Sequence, residues 1–147
     1  MRSLVGRAAA PSGFDPSRVA VAAKTLAVKR AQSVRTLWPA LAHHLGESFS
    51  DRFAEYVREF ALPAEGGPLA DGRAFVRALS RTEILPDEVK LETLAVDLRF
   101  RETPDGLTPR GRFSLKLRVL RHPLRLIVAL RASFIKERWL RLRVGRG

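Results

Sequence analysis

Three groups of residues in this 147-residue chain carry side chains able to do chemistry: a His43-His44 pair, scattered acids, and a run of arginines near the end. Two adjacent residues on a helix point about 100° apart, so His43 and His44 do not share one metal ion well. The third histidine, His122, stands beside Pro123, and no carboxylate pair joins it at metal-ligand spacing. The acid pairs Asp87-Glu88 and Glu55 with Glu59 read as helix-start charge and a solvated helix face. Glu92 is expected on the side of its helix that faces a sheet, where Arg99 or Arg101 would pair with it as a structural ion pair. Gly66-Gly67 and Gly111 lack the strand-to-helix setting of a phosphate loop, and nothing brings Ser, His and Asp together as a triad. Cysteine is absent, which excludes disulfides, thiolate metal sites and cysteine nucleophiles. The chain is therefore expected not to be an enzyme, and to need no metal or cofactor.

The arginines are the strongest signal. Residues 108–147 hold twelve Lys or Arg and one acid, Glu137, and so carry nearly all of the net charge of +12. From Arg112 to Val119 polar and apolar residues alternate, the pattern of a strand with one face buried and one wet. The wet face is expected to be a row of cations: Arg112, Lys116, Arg118, Arg125, Arg131, Arg141 and Arg143. The planar fork of arginine suits carboxylate and phosphate, so an acidic peptide or a nucleic acid is the implied partner. The bland alternative is a solvated face whose cations discourage edge-to-edge pairing. Twelve cations with a single acid exceed what that needs.

The elements that must position this face read as α+β. Residues 1–14 form a short lead, 15–95 a helical domain of four to five helices, and 96–147 a small basic antiparallel β-sheet. Asp15-Pro16 starts a long helix marked on one side by Val19, Ala23, Leu26, Arg30, Val34 and Leu37. Pro39 breaks it after Trp38, and Pro39 to Leu45 ends at Gly46, a left-handed cap. Ser48 with Asp51 opens the next helix, whose Phe49, Phe53, Tyr56, Val57 and Phe60 make the strongest apolar stripe. Residues 64–68 form a loop, Asp71 caps a helix holding Phe75, Val76 and Leu79, and Pro86-Asp87 opens another with Val89, Leu91 and Leu94 toward the core. Val96, Leu98 and Phe100 then alternate as a strand, and Pro104-Asp105-Gly106 marks a turn. Three more alternating runs follow, giving a sheet of three or four strands, although residues 130–142 fit a basic amphipathic helix as well. No apolar run approaches the roughly 20 residues that span a bilayer, nor is a signal peptide visible, so a cytoplasmic protein without a membrane partner is expected.

The ordered set Gly13-Phe14-Asp15-Pro16, Lys29-Arg30, Trp38-Pro39-x-Leu41-Ala42-x-x-Leu45-Gly46, Phe49, Phe53 and Asp71-Gly72-x-x-Phe75 resembles a group of small actinobacterial proteins. It is more distantly similar to the N-terminal domain of the HvfC/BufC family, a domain described as DNA-binding. In that pattern Leu91-Glu92 occupies the place of a Leu-Glu helix, with Thr93 standing where an aromatic is usual. The resemblance covers about Gly13 to Leu98 and implies that Trp38, Pro39, Leu45, Gly46, Phe49, Gly72, Phe75 and Glu92 are motif residues, mostly structural. It also implies a non-enzymatic accessory protein that recruits a peptide-modifying non-haem iron oxidative enzyme and its precursor peptide. The alternative is non-specific DNA or RNA binding by the basic C-terminal region.

Overall fold

Pro39 has no amide hydrogen to continue a helix, and Gly46 takes a positive φ of 53° that other residues rarely adopt. These two residues divide the first half of the chain. The computed structural model describes residues 16–111, 113–121, 124–132 and 135–143, with side chains in the last three strands described over 113–120 and 126–131. Five helices come first: α1 (Pro16–Leu37), α2 (Pro39–Leu45), α3 (Phe49–Glu59), α4 (Gly67–Leu79) and α5 (Asp87–Arg99). A 3₁₀ turn, Gly46–Ser48, joins α2 to α3. Strands β1 (Phe100–Thr103) and β2 (Gly106–Pro109) form a hairpin. Strands β3 (Phe113–Arg121), β4 (Leu124–Ala132) and β5 (Ile135–Arg143) form a second antiparallel sheet in the order β3-β4-β5. The fold is α+β, with the helices first, as the sequence implies.

The aromatic stripe of α3 meets α1 and α4 at the centre of the helical core. Phe49 and Phe53 stack at 6.0 Å, and the Phe75 ring of α4 meets Phe53 edge-on at 5.1 Å. Val34, Trp38, Leu41 and Val89 are fully buried around them. Helix α5 has two buried sides. Val89 and Val96 belong to the helical core, whereas Leu94 and Leu98 pack with Leu120, Ile127 and Ala129 of the sheet. One helix thus serves both layers.

Arginines tie the hairpin to the helices. Arg73 of α4 makes a two-pronged contact with Asp97 of α5, at 2.8 and 3.3 Å. It also reaches Glu102 of β1 at 3.4 Å, which Arg77 approaches at 2.8 Å. The Arg110 Nε–H donates to the carbonyls of Asp97 and Phe100. Gly106, at φ 138°, lies against the Glu65 carbonyl so closely that an added Cβ would overlap it.

Several expectations are corrected. Val96 and Leu98 are helical, and the first strand begins only at Phe100. Burial on two sides of α5 erases the helical period there and leaves a spurious alternation. Of the expected α1 stripe, Val34 is fully buried, but Ala23, Leu26 and Leu37 are exposed, and Ala31 and then Trp38 pack beside Val34. Asp51 makes no capping box with Ser48, whose hydroxyl instead donates to the Leu45 carbonyl at 2.7 Å. Helix α4 starts at Gly67, inside the expected loop, so Asp71 lies within the helix rather than at its start. Residues 130–142 contribute to two strands rather than a helix. The expected lead, 1–14, and the Asp15 cap fall outside the described residues.

Candidate functional site

The motif residues converge on the junction of α1, α2, α4 and α5. Trp38 is fully buried, and its indole lies directly on Gly72 of α4, where any Cβ would overlap Nε1 and Cδ1. Among the described residues its Nε1–H has no hydrogen-bond partner. After Trp38, Pro39 opens α2 without a side-chain cap of its own. Glu92 of α5 supplies one from across the core. Its Oε1 accepts from the Ala40 amide and its Oε2 from the Leu41 amide, both at 3.0 Å. The expectation that Glu92 faces the sheet and pairs with Arg99 or Arg101 is therefore corrected: its partners are the free amides of a helix N-terminus. Burial raises the Glu92 carboxyl above its ordinary value, and the two amides pull it back in part.

Below this junction, Arg30 of α1 holds Asp71 in a two-pronged pair, each contact 2.9 Å. Asp71 is 1% exposed and Arg30 12%, so the pair is nearly dry. The Arg30 guanidinium also stands 5.9 Å from the Phe53 ring centre. Burial first, and then the nearby Asp71 carboxylate, hold the Tyr56 phenol well above its ordinary range. Sequence reasoning missed this pair because Asp71 reads as a cap and Arg30 as a point on a stripe. Leu45, Phe49 and Phe75 are buried in the same core. All these residues fix the shape of the helical part, and Pro39 also lines a surface hollow with His43, His44, Pro86 and Glu88.

The surface with room for a partner is the sheet. Ser114 and Leu120 of β3 are buried, with Lys116 and Arg118 between them on the same side of the strand. That side faces α5. The small Ser114 and Ala129 let the helix lie close. The other side is apolar and uncovered: Phe113 is 66% exposed, Leu115 52%, Leu117 61% and Val119 56%. The strand register sets Leu115 opposite Leu130, Leu117 opposite Val128 and Val119 opposite Leu126, so the apolar face continues across β4. On β5, Leu140 lies opposite Val128 and Leu142 opposite Leu126.

The expectation of a cationic wet face is thus corrected for β3: Lys116 and the exposed Arg118 stand on the helix-facing side, and the apolar residues meet solvent on the other. The sequence signal for this was Leu120, which breaks the polar alternation on the Lys116-Arg118 side. Arg131 is half-buried and lies opposite Ser114. Arg125, Arg141 and Arg143 occupy strand positions whose side chains are outside the description, and Arg112 lies outside the described residues altogether.

Among the described residues, strand β3 pairs with β4 alone, so its other edge is open. Beside that edge, between α4, α5 and β3, lies a cavity of about 540 Å³. Arg73, Arg77, Lys90 and Arg118 line it against a single acid, Glu83. His43 and His44 lie exposed on α2, and among the described residues no group of three His, Asp or Glu could hold a metal ion. Among the described residues, no helix is long and apolar enough to cross a membrane.

The structure defines a class: a helical bundle that carries, on its last helix, a basic three-stranded sheet with an open edge and a bare apolar face. The chain belongs to the SCO6045-like, C-terminal domain family, whose model matches residues 1–81. The match stops just past α4, so Glu92, α5 and all five strands follow it. No curated protein and no solved structure matches the chain.

Proposed function

We propose that this chain is a non-enzymatic accessory protein that binds an extended precursor peptide on its sheet and brings it to a non-haem iron oxidative enzyme. One observation carries the reading: β3 offers an open edge with apolar side chains exposed on one face and cations on the other. An extended peptide adds to such an edge through main-chain hydrogen bonds, while pockets on either face select its side chains. The order of parts, a helical region followed by a β region, agrees with the HvfC/BufC-like pattern, in which the helical part meets the iron enzyme. The junction of Trp38, Gly72 and Glu92 then serves to hold the docking helices in shape.

Nucleic acid is the second reading, supported by the charge concentrated in residues 108–147. The bare apolar face argues against it, because phosphate contacts call for cations at the surface that meets the partner.

The test is a pull-down of the tagged chain from its native host at near-physiological salt, with nuclease added. Recovery of a non-haem iron oxidase is the expected result. Material that is nucleic acid or ribosomal, and that vanishes with nuclease, would replace the first reading by the second.

A further inference from the structure

Side chains of an added strand alternate between the two faces of the sheet. Those on the outer face would lie beside Leu115, Leu117 and Val119. Those on the inner face would lie beside Lys116 and Arg118 and enter the cavity between α4, α5 and β3.

The charges of that cavity are unequally committed. Arg73 is held by Asp97, Arg77 by Glu102 and Lys90 by Asp87 at 2.9 Å. The one lining acid, Glu83, is engaged by Arg52 through Oε2 at 3.2 Å. Among the described residues, Arg118 and Lys116 have no ion-pair partner. They stand two residues apart on one strand, so both point to the same side. A cross-strand neighbour brings its Cβ to about 4.5–5.5 Å, close enough for an ion pair. The apolar residues on the opposite side repeat with the same two-residue spacing. Val76 and Leu85 add apolar wall to the cavity.

We propose that β3 and this cavity form a specificity site for peptides that carry two acidic side chains two positions apart, with an apolar residue between them. Lys116 reads one acid and Arg118 the other, while the intervening apolar side chain covers Leu117. The site rests on the edge-addition reading above. It adds to that reading which side chains the peptide must carry and which residue reads each.

The test is a displayed library of random nine-residue peptides selected on the intact chain, then on Lys116→Gln and Arg118→Gln. Selection on the intact chain is expected to enrich Asp or Glu at two positions spaced by two, around an apolar residue. Each variant is expected to lose the acid at one position, keep it at the other, and lower the affinity of a selected peptide roughly tenfold. Retention of the apolar position in both variants shows that each still folds and binds. Enriched apolar peptides with no acids, or acids that both variants retain, would overturn the specificity site and leave edge addition standing. No enrichment at all would overturn both. Free glutamate or inorganic phosphate that displaces the selected peptide at micromolar concentration would make the cavity a small-anion site, and the peptide proposal would fall.

Discussion

Gly72 and Trp38 set a packing constraint that neither residue reveals alone. Gly→Ala in a helix interior ordinarily gains about 1 kcal/mol of helix propensity. Here the new methyl group would meet a fully buried indole with no room to move. Overpacking of that kind costs about 1–3 kcal/mol, so the clash outweighs the gain and Gly72→Ala is expected to lower the urea midpoint. Trp38→Leu in the same background removes the indole ring that meets the methyl, along with a buried N–H that has no partner among the described residues. The double variant is expected to be more stable than the sum of the two single losses; additivity would refute the contact. Glu92 carries a second residue-scale prediction. Its carboxyl is raised by burial, so the folded state binds that proton more tightly than the unfolded chain does. Its contribution is therefore greatest below the usual value of 4.5 and declines as the pH rises toward the raised value. The stability of the wild type relative to Glu92→Gln should fall across that window in pH-dependent denaturation, and a rise would contradict the assignment. Glu92→Ala removes the cap altogether and is expected to cost about 1–2 kcal/mol at neutral pH.

Among the elements, α5 is where the two layers of the molecule depend on each other. Leu98 is fully buried against the sheet, so Leu98→Ala is expected to cost roughly 2–5 kcal/mol by leaving a cavity. Leu117, on the bare face of β3, should behave differently: Leu117→Ala is expected to change stability by no more than about 0.5 kcal/mol. Thermal unfolding of the two variants compares the faces directly, and a large loss for Leu117→Ala would mean that its face is covered in the free protein. The same helix shows what was legible in the sequence. Pro39, Gly46 and Pro86 punctuate the chain locally, and the Phe49-Phe53-Tyr56 stripe has one dry side, so these elements follow from spacing alone. Val96 and Leu98 misled because they serve two cores, which no single period describes. The cations of β3 were legible as a set, but the side they occupy depends on which face α5 covers. That choice turns on small residues, Ser114 and Ala129, and on long-range packing that alternation does not encode. The Arg30–Asp71 and Glu92–α2 contacts join residues about 40 and 50 positions apart and left no local trace.

At the scale of the whole molecule, the family match and the folding unit have different ends. The match reaches residue 81, but the helical core also takes Leu85, Val89, Val96 and Leu107 from beyond it. The cap on α2 and the Asp97 and Glu102 carboxylates that hold Arg73 lie beyond it too. A chain ended after Arg81 would leave Arg73 without its acids and expose one side of Trp38's helix junction. It is expected to show no cooperative thermal transition and little near-ultraviolet signal from Trp38. A chain ended after Arg110 keeps every residue of that core and the hairpin that closes it. It loses only β3, β4 and β5, which cover Leu91, Leu94 and Leu98 of α5. Newly bare leucines on an otherwise intact helix bundle predict a cooperative transition at lower temperature, retained Trp38 signal, and increased binding of a hydrophobic dye. Because residues 108–147 carry nearly all of the net charge, the shorter protein should also bind acidic peptides far more weakly. If the 1–110 chain failed to fold, the sheet would be part of the structural core rather than a layer added to it. If it folded and still bound acidic peptides as the full chain does, the division between a shape-holding helical part and a binding sheet would be wrong.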